Sequence, residues 1–298
     1  MRLFNAGIFT SNFDKAGTVY SKLNDEEKEK RDGCDNFLES YHYIHKPIYV
    51  EKIRKEGKRV FLDSGAFSAM TKGVTIDLPK YCDYIHENAD IIEYASVLDA
   101  IGDPLGTWRN QHEMEKRGVA ALPCYHYGEP TEVLEWYIRN YDYVTIGGMV
   151  PISTKQLIIW LDRIFEEFIC DADGKPKVKI HGFGLTSLDL MFRYPWYSVD
   201  SSTWVQWSAF GMILIPGRMG QLDVSNKSSR RKQANMHLDS LPMMMTDAVE
   251  KQLTEMKGDP VRLREYYFSR WAWNCWAFPT YARSREHTNF DVTQPRLF

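Results

Sequence analysis

Carboxylates, histidines and paired glycines recur immediately after short apolar runs. Asp63-Ser64-Gly65-Ala66-Phe67 follows Val60–Leu62, and Asp99 follows Ile91–Leu98. His126-Tyr127-Gly128 follows Ala120–Tyr125, and Gly147-Gly148-Met149 follows Tyr143–Ile146. His181-Gly182-Phe183-Gly184 closes the run Val178–Phe183, and Asp200-Ser201-Ser202 follows Tyr197–Val199. Two carboxylates that face one another can exchange a glycosidic bond: one attacks the anomeric carbon, while the other gives and takes the proton of the leaving group. An Asp at a strand end can equally cap the next helix. Asp200 weighs against capping, because no strong helical pattern follows it. His126 and His181 suit a base edge, a metal or a buried carbonyl. No H-x-H or H-E-x-x-H pattern is present, so no metal site is expected. Gly147-Gly148 suits close approach of a flat ligand or a turn that needs positive φ.

These residues need a scaffold that brings strand ends together. Eight buried runs read as strands: Leu3–Phe9, Val60–Leu62, Ile91–Leu98, Ala120–Tyr125, Tyr143–Ile146, Val178–Phe183, Tyr197–Val199 and Met212–Ile215. Helical patterns lie between most of them, over Pro47–Glu56, Leu78–Asn88, Pro104–Arg117, Pro130–Asn140 and Thr186–Phe192. Asp103 before Pro104 is a helix start, and Ser153 with Gln156 reads as a capping box opening a helix to Phe168. Alternation of this kind predicts an α/β fold, a (β/α)8 TIM-type barrel with active groups at the C-terminal strand ends. An open doubly wound sheet is the alternative, but no G-x-G-x-x-G follows the first strand. The charge run Asn24–Arg31 reads as a surface loop or helix end. Residues 1–216 form the expected barrel core. Residues 217–298 form a basic, aromatic extension: a polar loop over 217–240, then helices over Thr246–Lys257 and Val261–Phe278.

The 298 residues suit one large domain, and 44% hydrophobic with 26% charged residues is ordinary for a globular enzyme. Five scattered cysteines with no C-x-x-C exclude a disulfide framework and a compact all-cysteine zinc site. No apolar run reaches the roughly 18 residues of a membrane span. The N-terminus lacks a secretory pattern, so a cytoplasmic location is expected. Net charge is -3, unevenly spread: residues 217–298 hold 13 Lys+Arg against 9 Asp+Glu, and residues 1–216 hold 24 against 31. A basic aromatic tail on an acidic body fits a polyanionic substrate, or a tail whose charges only solvate a helix.

The strand-end motifs resemble those of the tRNA-guanine transglycosylases, in the same order over roughly residues 60–205. Asp63-Ser64-Gly65-Ala66-Phe67-Ser68 resembles that family's Asp-Ser-Gly-Gly-Phe-Gln. Asp99 with Pro104 resembles its Asp-Glu-Cys-x-Pro, and Gly147-Gly148-Met149 its Gly-Gly-Leu. His181-Gly182-Phe183-Gly184 resembles its Met-Gly-Val-Gly, and Tyr197–Asp200 the strand that delivers its nucleophile. The family's Cys-x-Cys-x-x-Cys zinc motif is missing, and Ser68 stands in place of Gln. The whole pattern looks most like the short DNA 7-deazaguanine transglycosylases of phages and bacteria. That resemblance implies exchange of guanine in DNA for a free 7-deazaguanine base, without a cofactor. Asp200 would attack C1′ and Asp63 would be the general acid and base. Asp99 would read the guanine edge. Ser64, Phe67, His126, Tyr127, Gly147, Gly148, His181, Phe183 and Gly184 would line or wall the base slot. Arg230, Arg231, Lys232, Arg262 and Arg264 would hold phosphates, and Trp271, Trp273 and Trp276 would serve as core or stacking rings. The target base must be flipped out or single-stranded to reach such a slot. The alternatives are tRNA as substrate, a non-catalytic partner subunit that binds nucleic acid, and a metal-dependent hydrolase on the same barrel.

Overall fold

A computed structural model describes residues 1–217, 221–284 and 290. Parts of the expected 217–298 extension, at 218–220, 285–289 and 291–298, lie outside the described residues. The chain divides into two compact units. One comprises residues 1–11 and 36–201 with Phe290, the other residues 12–35 and 202–284.

The first unit is an α/β layer structure around eight parallel strands. They are β1 (Arg2–Ala6), β2 (Phe37–Ser40), β3 (Val60–Asp63), β4 (Ile92–Ala95), β5 (Cys124–His126), β6 (Tyr143–Gly147), β7 (Lys179–Gly182) and β8 (Ser198–Ser201). The sheet is curled, with strand order β4-β3-β2-β1-β8-β7-β6-β5. Just past the two outer strands, Leu122 N donates to Ala95 O at 2.8 Å and Val97 N to Leu122 O at 2.9 Å. Phe4, Leu38 and Phe61 pack inside the curl with Tyr94, Leu122 and Phe183 against them. Ring contacts of 5.5 Å for Phe4–Phe61 and 4.6 Å for Phe61–His181 fill the floor beneath the strand ends. Large apolar side chains at inward positions are what such an interior requires. Parallel register sets neighbouring ends level: Ser40 lies opposite Asp63, and His126 opposite Gly147.

The helices follow their start signals. Pro47–Glu56 begins on Pro at N1 and stops at Gly57 in the left-handed region. Asp103 caps Pro104–Lys116 through Gly106 N at 2.9 Å. Ser153 Oγ accepts from Gln156 N at the start of Thr154–Ile164, and the Gln156 side chain meets the serine hydroxyl at 2.7 Å.

Strand membership differs from expectation at two places. Phe37–Ser40 is a central strand that the pattern hides, because Glu39 interrupts a run of only four residues. Glu39 is buried and accepts a hydrogen bond from Phe9 N at 2.7 Å, which satisfies a carboxylate inside the fold. Conversely, β9 (Met212–Leu214) pairs antiparallel with β10 (Gln221–Asp223) in the second unit. An apolar run states that a strand is buried, not which sheet buries it.

In the second unit the charge run is a helix, Asp25–Asp32, opened by a reciprocal capping box between Asn24 and Glu27. It packs on the helix Tyr267–Ser284: Lys30 Nζ donates to Met256 O at 2.6 Å and lies 4.5 Å over the Trp276 ring. The expected helix Val261–Phe278 is two helices, Pro260–Glu265 and Tyr267–Ser284, parted at Tyr266. Trp273 is buried and its indole N–H donates to Leu214 O at 2.7 Å, so this ring is core. No described helix is long and apolar enough to cross a membrane.

Candidate active site

Asp63 ends β3, Asp200 stands one residue before the end of β8, and His126 ends β5. Asp99 follows β4 and Gly148 follows β6. All five line one cavity of about 650 Å³, together with Phe67, Tyr127, Gly147, Phe183 and Gly184. Its size and mixed lining suit a small organic ligand.

None of the three carboxylates caps a helix. Asp63 Oδ2 accepts from Gly65 N at 3.0 Å. That contact needs Gly65 at φ +75°, and a Cβ there would come within 2.3 Å of Ser40 Oγ and 2.6 Å of His42 Cβ. The turn therefore requires glycine on both conformational and steric grounds. Burial pushes the Asp63 carboxyl up to about 7, and the neighbouring Asp99 and Asp200 charges add to the shift. At neutral pH this group is poised between donor and acceptor.

Asp200 Oδ1 accepts from Gly184 N at 2.9 Å and lies 3.3 Å from His181 Nε2. His181 Nδ1 lies 2.6 Å from Ser198 Oγ, which is 2.5 Å from the Tyr143 hydroxyl. Burial depresses the His181 pKa, so the ring is neutral despite Asp200 beside it. Asp200 Oδ1 already accepts from Gly184 N and acts here as an acceptor, so the tautomer that fits carries its proton on Nε2. Nδ1 then accepts from the Ser198 hydroxyl, and that oxygen accepts from Tyr143 O–H. The chain Tyr143–Ser198–His181 thus aims one oriented donor at Asp200.

On the opposite side of the cavity lining, His126 Nε2 lies 3.4 Å from Asp99 Oδ1 and Nδ1 lies 2.9 Å from Glu129 Oε1. Burial works against a charged His126 ring, but Cys124, Asp99 and Glu129 outweigh it and the pKa is raised. Burial pushes the Cys124 thiol up. Gly148 has φ +69°, and a Cβ there would sit 3.1 Å from His126 Cβ and Tyr127 N, so the glycine turn also makes room for the end of β5.

Two expected lining residues are not in the wall. Ser64 and His181 are fully buried. Ser64 N donates to Ser96 Oγ at 2.9 Å and anchors the turn after Asp63. His181 lies beneath Asp200 and orients it, so it does not stack on a ligand. The arginines expected to hold phosphates belong to the second unit and are paired there. Arg262 binds Glu27 at 2.8 Å, Arg231 binds Asp239 at 2.6 Å, and Arg264 binds Asp239 and Glu250. Arg230 lies 3.5 Å from Asp223. Lys232 is exposed. Trp271 packs edge-on against Phe13, Trp204 and Tyr267 within the second unit.

No protein-family model matches the chain, and no curated protein matches it in sequence.

Sequence reasoning passed over Cys124, Glu129, Ser198 and Tyr143. Cys124 and Glu129 flank His126 at two and three residues, a spacing that was legible. Ser198 on β8 and Tyr143 on β6 flank β7: Ser198 stands opposite His181 in the sheet register, and the Tyr143 hydroxyl reaches Ser198.

Proposed function

We propose that the chain exchanges guanine in DNA for a 7-deazaguanine base through a covalent Asp200–deoxyribose intermediate. The observation that carries this reading is the division of labour among three carboxylates on one cavity. Asp63 is held near 7, while Asp200 receives directed donors from Gly184 N and His181. Environments that set two carboxyl groups apart are how acid and nucleophile roles are divided. The order of strand-end motifs supports guanine as the base.

In the first half-reaction an Asp200 oxygen forms a bond to C1′ as the C1′–N9 bond breaks. Asp63 gives its proton to the departing guanine, and the sugar becomes an aspartyl ester. In the second half, Asp63 as carboxylate removes the N9 proton of the incoming base. That nitrogen attacks C1′ and Asp200 leaves, so the configuration is retained and the protons balance. Asp99 accepts from the N1–H and 2-amino edge. Phe67, Tyr127 and Phe183 flank the ring. The bonds broken and made are alike, so no cofactor drives the exchange. Closure of the eight strands into a complete (β/α)8 barrel is part of this reading, supported by the hydrogen bonds that join Ala95 and Val97 to Leu122.

The test is incorporation of labelled guanine and 7-deazaguanine bases into duplex DNA and into tRNA, side by side, with Asp200→Ala as control. Label should enter DNA and fall at least about a thousandfold in the variant, as expected on removing a covalent nucleophile. Label entering tRNA alone transfers the mechanism to the other polymer. Label entering neither refutes the exchange.

A further inference from the structure

We propose that Asp99, Cys124 and His126 form a binding site for one divalent metal ion of the zinc class. Each offers one ligand atom, and the three atoms lie within 4.8 Å of one another, Cys124 and His126 on β5 and Asp99 in the segment that follows β4.

The first support is spacing. Two ligands about 2.0–2.1 Å from a tetrahedral ion stand roughly 3.4 Å apart. Asp99 Oδ1 and His126 Nε2 stand 3.4 Å apart. The second is a buried carboxylate oxygen without a hydrogen bond. Asp99 Oδ1 is shielded from solvent, and its contact with His126 Nε2 is an ion-pair approach of 3.4 Å that meets no hydrogen-bond geometry. A metal ion between the two atoms would coordinate that oxygen directly. The third is the environment of the histidine. Its other nitrogen, Nδ1, is 2.9 Å from Glu129, whose side chain is almost wholly buried. A histidine that binds metal through one nitrogen characteristically gives the other N–H to a carboxylate, which fixes tautomer and ring orientation. The fourth is the room left for sulfur. A Cβ on Gly147 would lie 3.0 Å from Cys124 Sγ and 3.3 Å from His126 Cδ2, so glycine at this position keeps the thiol and the imidazole free of crowding.

The donor set decides the metal. A thiolate with an imidazole and one carboxylate selects zinc over magnesium or calcium, which take oxygen donors. Binding displaces the Cys124 thiol proton and the His126 Nε2 proton to solvent, leaving the thiolate and a neutral imidazole on the ion. Three protein ligands leave a fourth position, and the three side chains line the cavity. That position takes water, or a neutral oxygen or nitrogen donor of whatever molecule enters the cavity. The second oxygen of Asp99 remains available to a base edge. The metal site does not rest on the base-exchange reading.

Full-length protein purified without chelator should contain one zinc per chain. After exchange into cobalt(II) it should show the near-ultraviolet thiolate-to-cobalt charge-transfer band and the strong visible absorption of a four-coordinate ion. Cys124→Ser should lose the charge-transfer band, while Cys82→Ser, which alters a buried thiol on the helix Leu78–Glu87, should keep it. Should Cys124→Ser fail to fold, zinc-edge X-ray absorption of the unaltered protein reads the same point, because one sulfur neighbour is expected. Protein that takes up neither zinc nor cobalt overturns the proposal, as does a charge-transfer band that survives in folded Cys124→Ser or a zinc shell without sulfur. The exchange assay is scored separately. A cobalt band without base exchange keeps the metal site and removes the exchange reading, and exchange in protein that binds no metal does the reverse.

Discussion

At the scale of single residues the site is organised by how each carboxyl is surrounded. Asp63 carries a pKa near 7 against an ordinary 3.8, chiefly through burial. As general acid it must be protonated, so single-turnover release of guanine should fall as pH rises through about 7. Rapid-quench measurement between pH 5 and 9 checks this, and a flat profile would remove Asp63 from the acid role. The same shift acts on stability. Between the ordinary value and about 7 the folded protein holds a proton that the unfolded chain has lost, so stability falls as pH rises through that window. Asp63→Asn should flatten that slope and raise Tm at pH 8 by roughly a few degrees, read by calorimetry. His181 is a positioning residue. His181→Ala should lower kcat about 10–100-fold, the cost typical of losing an orienting partner, with KM nearly unchanged. An equal loss in KM would point to ligand contact.

At the scale of elements, short turns decide where the carboxylates stand. Gly65→Ala forces a side chain into the left-handed region and against Ser40 and His42. It should destabilise by about 1–3 kcal/mol in urea titrations and should also impair exchange, since the turn sets Asp63. A neutral effect on both would show that the turn has a second conformation. Helix starts were readable, because Pro at N1 and Asp103 at the cap act through local hydrogen bonds. The strand Phe37–Ser40 was not readable. Its buried Glu39 is satisfied by distant partners, among them Phe9 N, which lies thirty residues away in sequence, and the Thr10 hydroxyl.

At the scale of the whole molecule, several of the basic residues described in 217–298 are already paired with acids. Arg231, Arg262 and Arg264 are held by Asp239, Glu27 and Glu250, so they neutralise acids of their own unit. If DNA is the substrate, an exposed residue such as Lys232 carries more of the phosphate contact than these arginines. Lys232→Ala should reduce the slope of log K against log salt by about 0.9, as measured by fluorescence anisotropy over a salt series. Arg262→Ala should leave that slope nearly intact while lowering stability, because it removes the counter-charge of the mostly buried Glu27 and leaves that carboxylate only its contact with Asn24 N among those described. The opposite pattern would show that the Arg262–Glu27 pair opens on binding.

The sequence by itself determined the α/β alternation, most helix starts, and the strand-end positions of Asp63, Asp99, His126, Gly148 and Asp200. Period, turn residues and caps are local, so they are written in neighbouring letters. Only the tertiary structure decided that Phe37–Ser40 belongs to the parallel sheet and Met212–Leu214 does not, since pairing joins segments far apart in the chain. It also decided that His181 supports Asp200 from below and that Asp99 meets Cys124 and His126. Those relations depend on strand register and on the direction of side chains across a curled sheet, and no local spacing encodes them.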